Sequence, residues 1–207
     1  MLETGDILYI PPGFPHDGYS VETSMSFSVS FRSPKKQELL STFADFVISN
    51  DIGDVHYHNP ALSTRRCNGA ISEQDYHDLE TMMRSLLDHP HLLKQWMGEH
   101  FSQNRHELDI VPSDPEWSNE ETYQCLMSGD SFNRIGGLRA FYHDAQPESI
   151  FINGEQYTLP DECTDTAKQF CNEQVVTAKS LGNAIHHPAV LTLLTQLINL
   201  GYWYLVE

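Results

Sequence analysis

The sequence predicts an α+β chain in which strands come first, helices second and a mixed module last. Three observations carry that expectation. The N-terminal stretch, about thirty residues, breaks into short apolar runs bounded by turn residues. Residues 34–110 repeat apolar side chains at helical spacing. In residues 111–207 an Asn153-Gly154 pair sits between two alternating runs, which is the strongest short-range signal for a hairpin, and helix caps flank it.

Composition narrows the function classes. The 207 residues include 12 basic and 29 acidic side chains, a formal charge of −17, which opposes a phosphate backbone and favours basic protein partners. Cys67, Cys125, Cys163 and Cys171 form no CxxC pair and no signal peptide is evident, so reduced thiols in a cytoplasm are expected. Ala189 to Val206 is apolar, but Gln196, Asn199 and Gly201 interrupt it, so it reads as a helix followed by a strand and not as a membrane span.

The first run ends in Leu8 and Ile10, and the stiff turn Pro11-Pro12-Gly13-Phe14-Pro15 then delivers His16. Two prolines remove two backbone donors and Gly13 permits a conformation closed to other residues, so the imidazole is mounted as a metal ligand must be, in one orientation. Tyr19 and Val21 mark a second run. In the third, Met25 to Arg32, the residues Met25, Phe27, Val29 and Phe31 fall on one face and Ser24, Ser26, Ser28, Ser30 and Arg32 on the other. The serine face is either solvated or the roomy lining of a barrel pocket with Arg32 at its rim; without further context, solvent is the expectation.

Apolar spacing predicts a helix from Lys35 to about Ile48, a loop over 50–68, and a second helix that Ser72 caps, with Leu79, Met82, Met83, Leu86 and Leu87 as its stripe. His89-Pro90 breaks it, and a third helix follows to Gln103 with Leu93, Trp96, Met97 and Phe101. Val111 to Pro115 reads as a linker. Ser118-Asn119-Glu120-Glu121 is a capping box, a strand is expected over Leu138–Tyr142, and the hairpin covers Ile150–Leu159. A helix from Glu162 to Cys171, one from Pro188 with Val190, Leu191, Leu194, Leu197 and Ile198 inward, a stop at Gly201 and a strand over Tyr202–Val206 complete the chain. Helices around a small hairpin resemble a winged helix. Its candidate reading segment, Asp161 to Lys168, is acidic, so the module is expected to dock protein and not nucleic acid.

No other histidine forms a ligand set: His56-Tyr57-His58 and His89-Pro90-His91 lack a carboxylate or cysteine at ligand spacing, and surface or capping roles fit them better. Neither a GxSxG nucleophile elbow nor a glycine-rich phosphate loop is present.

Gly5 to His16 closely resembles the distal-histidine strand and turn of the cupin-like JmjC oxygenases, in particular the bacterial ribosomal oxygenases. Phe101-Ser102-Gln103-Asn104-Arg105-His106-Glu107-Leu108-Asp109 and Gly201-Tyr202-Trp203-Tyr204 resemble that family too. The resemblance implies three parts: the C-terminal strands of a double-stranded β-helix (cupin/JmjC) barrel over 1–33, a helical dimerisation region over 34–110 and a winged-helix domain over 111–207. It further implies an Fe(II) and 2-oxoglutarate dependent hydroxylase of a ribosomal protein, in the bacterial members on an arginine of a large-subunit protein, with His16 as the second iron-binding histidine. Ser24, Ser26 and Ser28 fall on the strand that lines the co-substrate pocket in that family.

One feature departs from the pattern. The family's other ligands are a His-x-Asp/Glu pair ahead of the distal histidine, and no histidine here has an acidic residue two positions on. Arg32 could stand in for a co-substrate anchor but not for ligands. The chain alone is therefore expected to bind iron weakly and to have no hydroxylase activity, and its barrel strands are expected to be exposed or paired elsewhere. Dimerisation is expected through the helical region, with Met82, Leu86 and Trp96 contributing. The alternative is a non-catalytic module that dimerises and docks a basic ribosomal protein.

Overall fold

The computed structural model describes residues 2–29, 33–58, 67 and 69–206. The chain divides into two units, Met1–Lys36 and Gln37–Glu207.

In the first unit local turns form and strands do not. Asp6 N–H donates to the Glu3 carbonyl at 3.1 Å with Gly5 at φ 96°, and Phe14 N–H donates to the Pro11 carbonyl at 3.4 Å with Gly13 at φ 83°. Each places glycine third in a four-residue turn, the position that needs positive φ. Residues 2–29, where barrel strands are expected, contain no strand in this structure. The physical reason is that a strand is held by ladder bonds to a neighbour, and these runs do not pair with one another. The alternation of Met25, Phe27 and Val29 is real in sequence, yet all three are exposed, Phe27 at 87%. Arg32, with Ser30 and Phe31 beside it, lies outside the described residues, as do 59–66 and 68 of the expected loop.

The second unit begins with three helices, α1 (Lys36–Ser49), α2 (Glu73–Leu87) and α3 (Pro90–Ser102). Ser72 caps α2 as expected, in a full capping box with Asp75. His89 caps α3 by accepting from Leu92 N–H at 3.3 Å, and Pro90 occupies the first turn, where its missing donor costs nothing. Phe43, Val47, Leu92 and Trp96 form a small core, with Phe43 edge-on to Trp96 at 5.3 Å. Most of the apolar stripe of α2 is open, Met83 being 72% exposed, while Leu86 packs on this core. Of the residues expected at a subunit contact, Met82 faces solvent, Leu86 is half-buried and Trp96 is buried inside this core.

After α3 come α4 (Asn119–Ser128), β1 (Ser131–Arg134), β2 (Ala140–His143), β3 (Gln146–Ile152) and β4 (Glu155–Thr158). They are followed by α5 (Thr164–Asn172), β5 (Val175–Thr177), α6 (Ala178–Leu181), α7 (Pro188–Asn199) and β6 (Trp203–Leu205). The strands make two antiparallel three-stranded sheets, β5-β1-β6 and β2-β3-β4. Asn153 (φ 52°) and Gly154 (φ 89°) turn the β3-β4 hairpin at the expected place. The Ser118–Glu121 capping box starts α4, and Gly201 (φ 76°) separates α7 from β6. Strands β1 and β5 and helix α6 are additions to the sequence reading. Leu126, Phe132, Ile150, Phe170, Val190, Leu194, Leu197 and Trp203 form the centre of the larger core.

Two contacts tie the parts of this unit together. Gly98 of α3 lies against the Phe151 ring so closely that a Cβ there would overlap it. The segment that reads as a linker is fastened to the end of α7: Ser113 N–H donates to the Asn199 carbonyl at 3.0 Å, and the Asn199 amide exchanges bonds with the Trp117 backbone at 2.8 and 2.9 Å. Orphan carbonyls at a helix C-terminus need such partners. Among the described residues no helix is long and apolar enough to cross a membrane.

Candidate functional site

The Pro11–Phe14 turn sets the direction of His16. Its Nδ1 lies 3.3 Å from the Phe14 carbonyl oxygen, within hydrogen-bond range, and the ring is exposed. A histidine whose Nδ1 is tied to a backbone carbonyl presents Nε2 outward, which is how an imidazole is oriented for a metal. Nothing joins it. Among the described residues no group of three or more His, Cys, Asp or Glu side chains is placed to hold a metal ion.

Ser24, Ser26 and Ser28 are exposed. Ser24 Oγ is 2.7 Å from Ser20 Oγ, whose hydroxyl also donates to the Glu22 carbonyl in a bend, and none of the three serines bonds His16.

Three other histidines cap or brace helices. His89 caps α3, and His187 caps α7 by accepting from Ala189 N–H at 3.3 Å while its Nε2 lies 3.5 Å from Glu162. His100 stacks on Trp96 at 5.5 Å, and burial first, then the Arg105 charge, lower its pKa.

The cysteines are free thiols, and the surroundings of Cys125, Cys163 and Cys171 oppose their ionisation. Burial raises Cys171 to about 12 against an opposing effect of Arg134, and burial together with the bond to Asp130 raises Cys125 to about 11. Burial, then Glu162, also raises Cys163. The thiolate is the reacting species, so iodoacetamide at about pH 8 is expected to alkylate exposed Cys67 first and to leave Cys163 and Cys171 untouched until denaturant is added. Fast native-state labelling of either buried thiol, read by peptide mass, would contradict this.

Two recesses were not foreseen. One, of about 560 Å³, is bounded by Asp114, Glu116, Trp117 and Glu121. The Ser118 hydroxyl and backbone N–H bond Glu121 and lower its pKa, so the recess is anionic. The other, of about 450 Å³, lies between α3 and the β2-β3-β4 sheet and is mostly apolar, with Arg139 at its edge. The alternation of Arg139 and Phe141 along one strand face was the available signal for it.

Comparison with known proteins adds what these residues lack. A JmjC domain model matches residues 1–39, and a ROXA-like winged helix model matches residues 85–204. The chain is 40% identical over 203 residues to the ribosomal protein uL16 3-hydroxylase of Escherichia coli (strain K12), an alignment that covers 98% of this chain and 53% of that protein. Solved structures of YcfD, a ribosomal oxygenase from Escherichia coli, are similar with a TM-score of 0.79 and 34% identity, over 86% of this chain and 48% of theirs; one is a complex with cobalt and succinic acid, another with cobalt and 2-oxoglutarate. The chain thus spans about half the length of the relatives it matches. With the winged helix model over more than half its length, and the JmjC match at its start, the chain belongs to the ROXA-like winged helix family.

Proposed function

We propose that this chain is the C-terminal part of an Fe(II) and 2-oxoglutarate dependent oxygenase that hydroxylates a ribosomal protein side chain, an arginine of a large-subunit protein. The observation that carries the reading is the JmjC match over 1–39, which contains the Pro-Pro-Gly-Phe-Pro-His turn, in one chain that is 40% identical over 203 residues to a ribosomal protein hydroxylase. When bound, iron and 2-oxoglutarate supply the oxidation of an unactivated carbon; the contribution of this chain is one ligand, His16, with Ser24, Ser26 and Ser28 beside the co-substrate. Residues 34–110 dimerise through the open stripe of α2, and residues 111–207 dock the substrate protein. A basic, cytoplasmic partner suits the charge of −17 and the anionic recess around Trp117.

The described residues hold no metal-binding cluster, so the isolated chain is expected to release no succinate above background with Fe(II), 2-oxoglutarate and a uL16 fragment. Joined behind the JmjC half of the Escherichia coli relative, it is expected to support hydroxylation of uL16, detected by mass, and His16→Ala is expected to abolish it. Turnover by the isolated chain that disappears in His16→Ala would overturn the inactivity, and full activity of the joined His16→Ala protein would overturn the ligand role. Light scattering at micromolar concentration tests the dimer; a monomer counts against it.

A further inference from the structure

The groove between α3 and the β2-β3-β4 sheet has apolar walls and a cation without a counter-ion among the described residues. Met97 and Phe101 of α3 face Phe141 and Phe151, and Arg139 reaches the same space. Phe141 and Met97 are 45% and 37% exposed, so the walls are open to solvent. The His143 side is fixed: its Nε2 lies 2.7 Å from the Lys94 carbonyl and its ring stands edge-on to Phe151 at 5.5 Å. Of the Arg139 donors only Nη1 has a protein partner among the described residues, the Phe101 carbonyl at 3.3 Å. In a chain with 29 acidic and 12 basic residues, none of the described carboxylates pairs with it.

That pairing defect selects the occupant. Whatever covers the apolar walls also takes water from the guanidinium, and a desolvated, uncompensated charge costs more than the apolar contact returns. A neutral apolar ligand is therefore disfavoured, a cationic one is repelled, and a phosphate would gain nothing from the phenyl walls. A carboxylate meets the planar guanidinium at two points while an attached apolar group fills the groove. The volume falls in the range of small-ligand sites, about 300–1,000 Å³. The net negative charge opposes any anion at long range, but at physiological salt this is screened beyond about 8 Å.

We propose that this groove binds a carboxylate bearing one aromatic or branched apolar group, the carboxylate on Arg139 and the apolar body between Met97, Phe101 and Phe141. A free acid and the C-terminal residue of a peptide share this chemistry. The test is a heteronuclear NMR titration of the unaltered chain with phenylacetate, with phenylethanol as the uncharged analogue, and with N-acetylphenylalanine as the peptide-end mimic. Phenylacetate is expected to move the amide signals of Met97, Phe101 and Phe141, and phenylethanol to bind at least about tenfold more weakly. Arg139→Met is expected to reduce the acid to the alcohol's affinity. Tighter binding of N-acetylphenylalanine than of phenylacetate assigns the site to a peptide end, and the reverse order assigns it to a free acid. Equal affinity of acid and alcohol, or shifts confined to residues outside the groove, overturns the proposal. Should Arg139→Met fail to fold, the comparison of acid with alcohol on the unaltered chain decides alone.

Discussion

Gly201→Ala is expected to destabilise the second unit by about 3 kcal/mol, the sum of left-handed strain and overpacking. Gly201 has φ 76°, and a Cβ there would overlap the Val111 carbonyl oxygen and lie 2.7 Å from the Val111 carbonyl carbon and 3.2 Å from Ile110 Cγ2. Backbone atoms cannot rotate away as a side chain can, so the segment over 110–111 must shift. Gly129→Ala separates the two causes: φ is 101° there, but nothing lies within 4 Å of the added carbon, so only the conformational cost of about 1–2 kcal/mol is expected. Urea unfolding of both variants measures the difference. Equal midpoints would show that the Val111 contact relaxes freely.

Trp203→Ala is expected to cost about 3–5 kcal/mol, a large part of the stability of a domain this size. The ring is 1% exposed, stands edge-on to Phe170 at 6.1 Å and lies under the Arg134 guanidinium at 5.9 Å. Arg134 in turn donates from Nη1 to the Phe170 and Cys171 carbonyls at 3.0 and 2.9 Å, closing the end of α5. Removing the indole leaves a cavity and loosens that cap together. Loss of the near-ultraviolet dichroism of the second unit and a lower urea midpoint would report both. A change below about 1 kcal/mol would mean that the core refills the space.

Features set by neighbouring residues were legible in the sequence. Ser72 and Ser118 begin helices where their partners Asp75 and Glu121 stand three residues on, His89-Pro90 breaks one helix and starts the next, and Asn153-Gly154 turns the hairpin. Features set by distant partners were not. Strand β1 exists because Phe132 pairs with Val176 on one side and Leu205 on the other, and a run of three or four residues shows no period of its own. The same cause acts in reverse at the N-terminus, where Met25, Phe27 and Val29 have the period and lack the partner strands. His16 follows suit: its turn is local and formed, whereas a metal site is a meeting of several residues. Of the groove at Arg139 only one wall, the Arg139 and Phe141 face, was legible, because α3 and β2 are brought together by tertiary packing.

The clasp between Ser113, Trp117 and Asn199 has a consequence for synthesis. The bonds join residues more than eighty positions apart, and β6, which follows Asn199, is one edge of the first sheet. As the chain leaves a ribosome, the opening residues of the winged helix must wait for its final turn of helix and strand before they can settle. This module therefore completes its fold late, with its aromatic core open to chaperones until Trp203 has emerged from the ribosome.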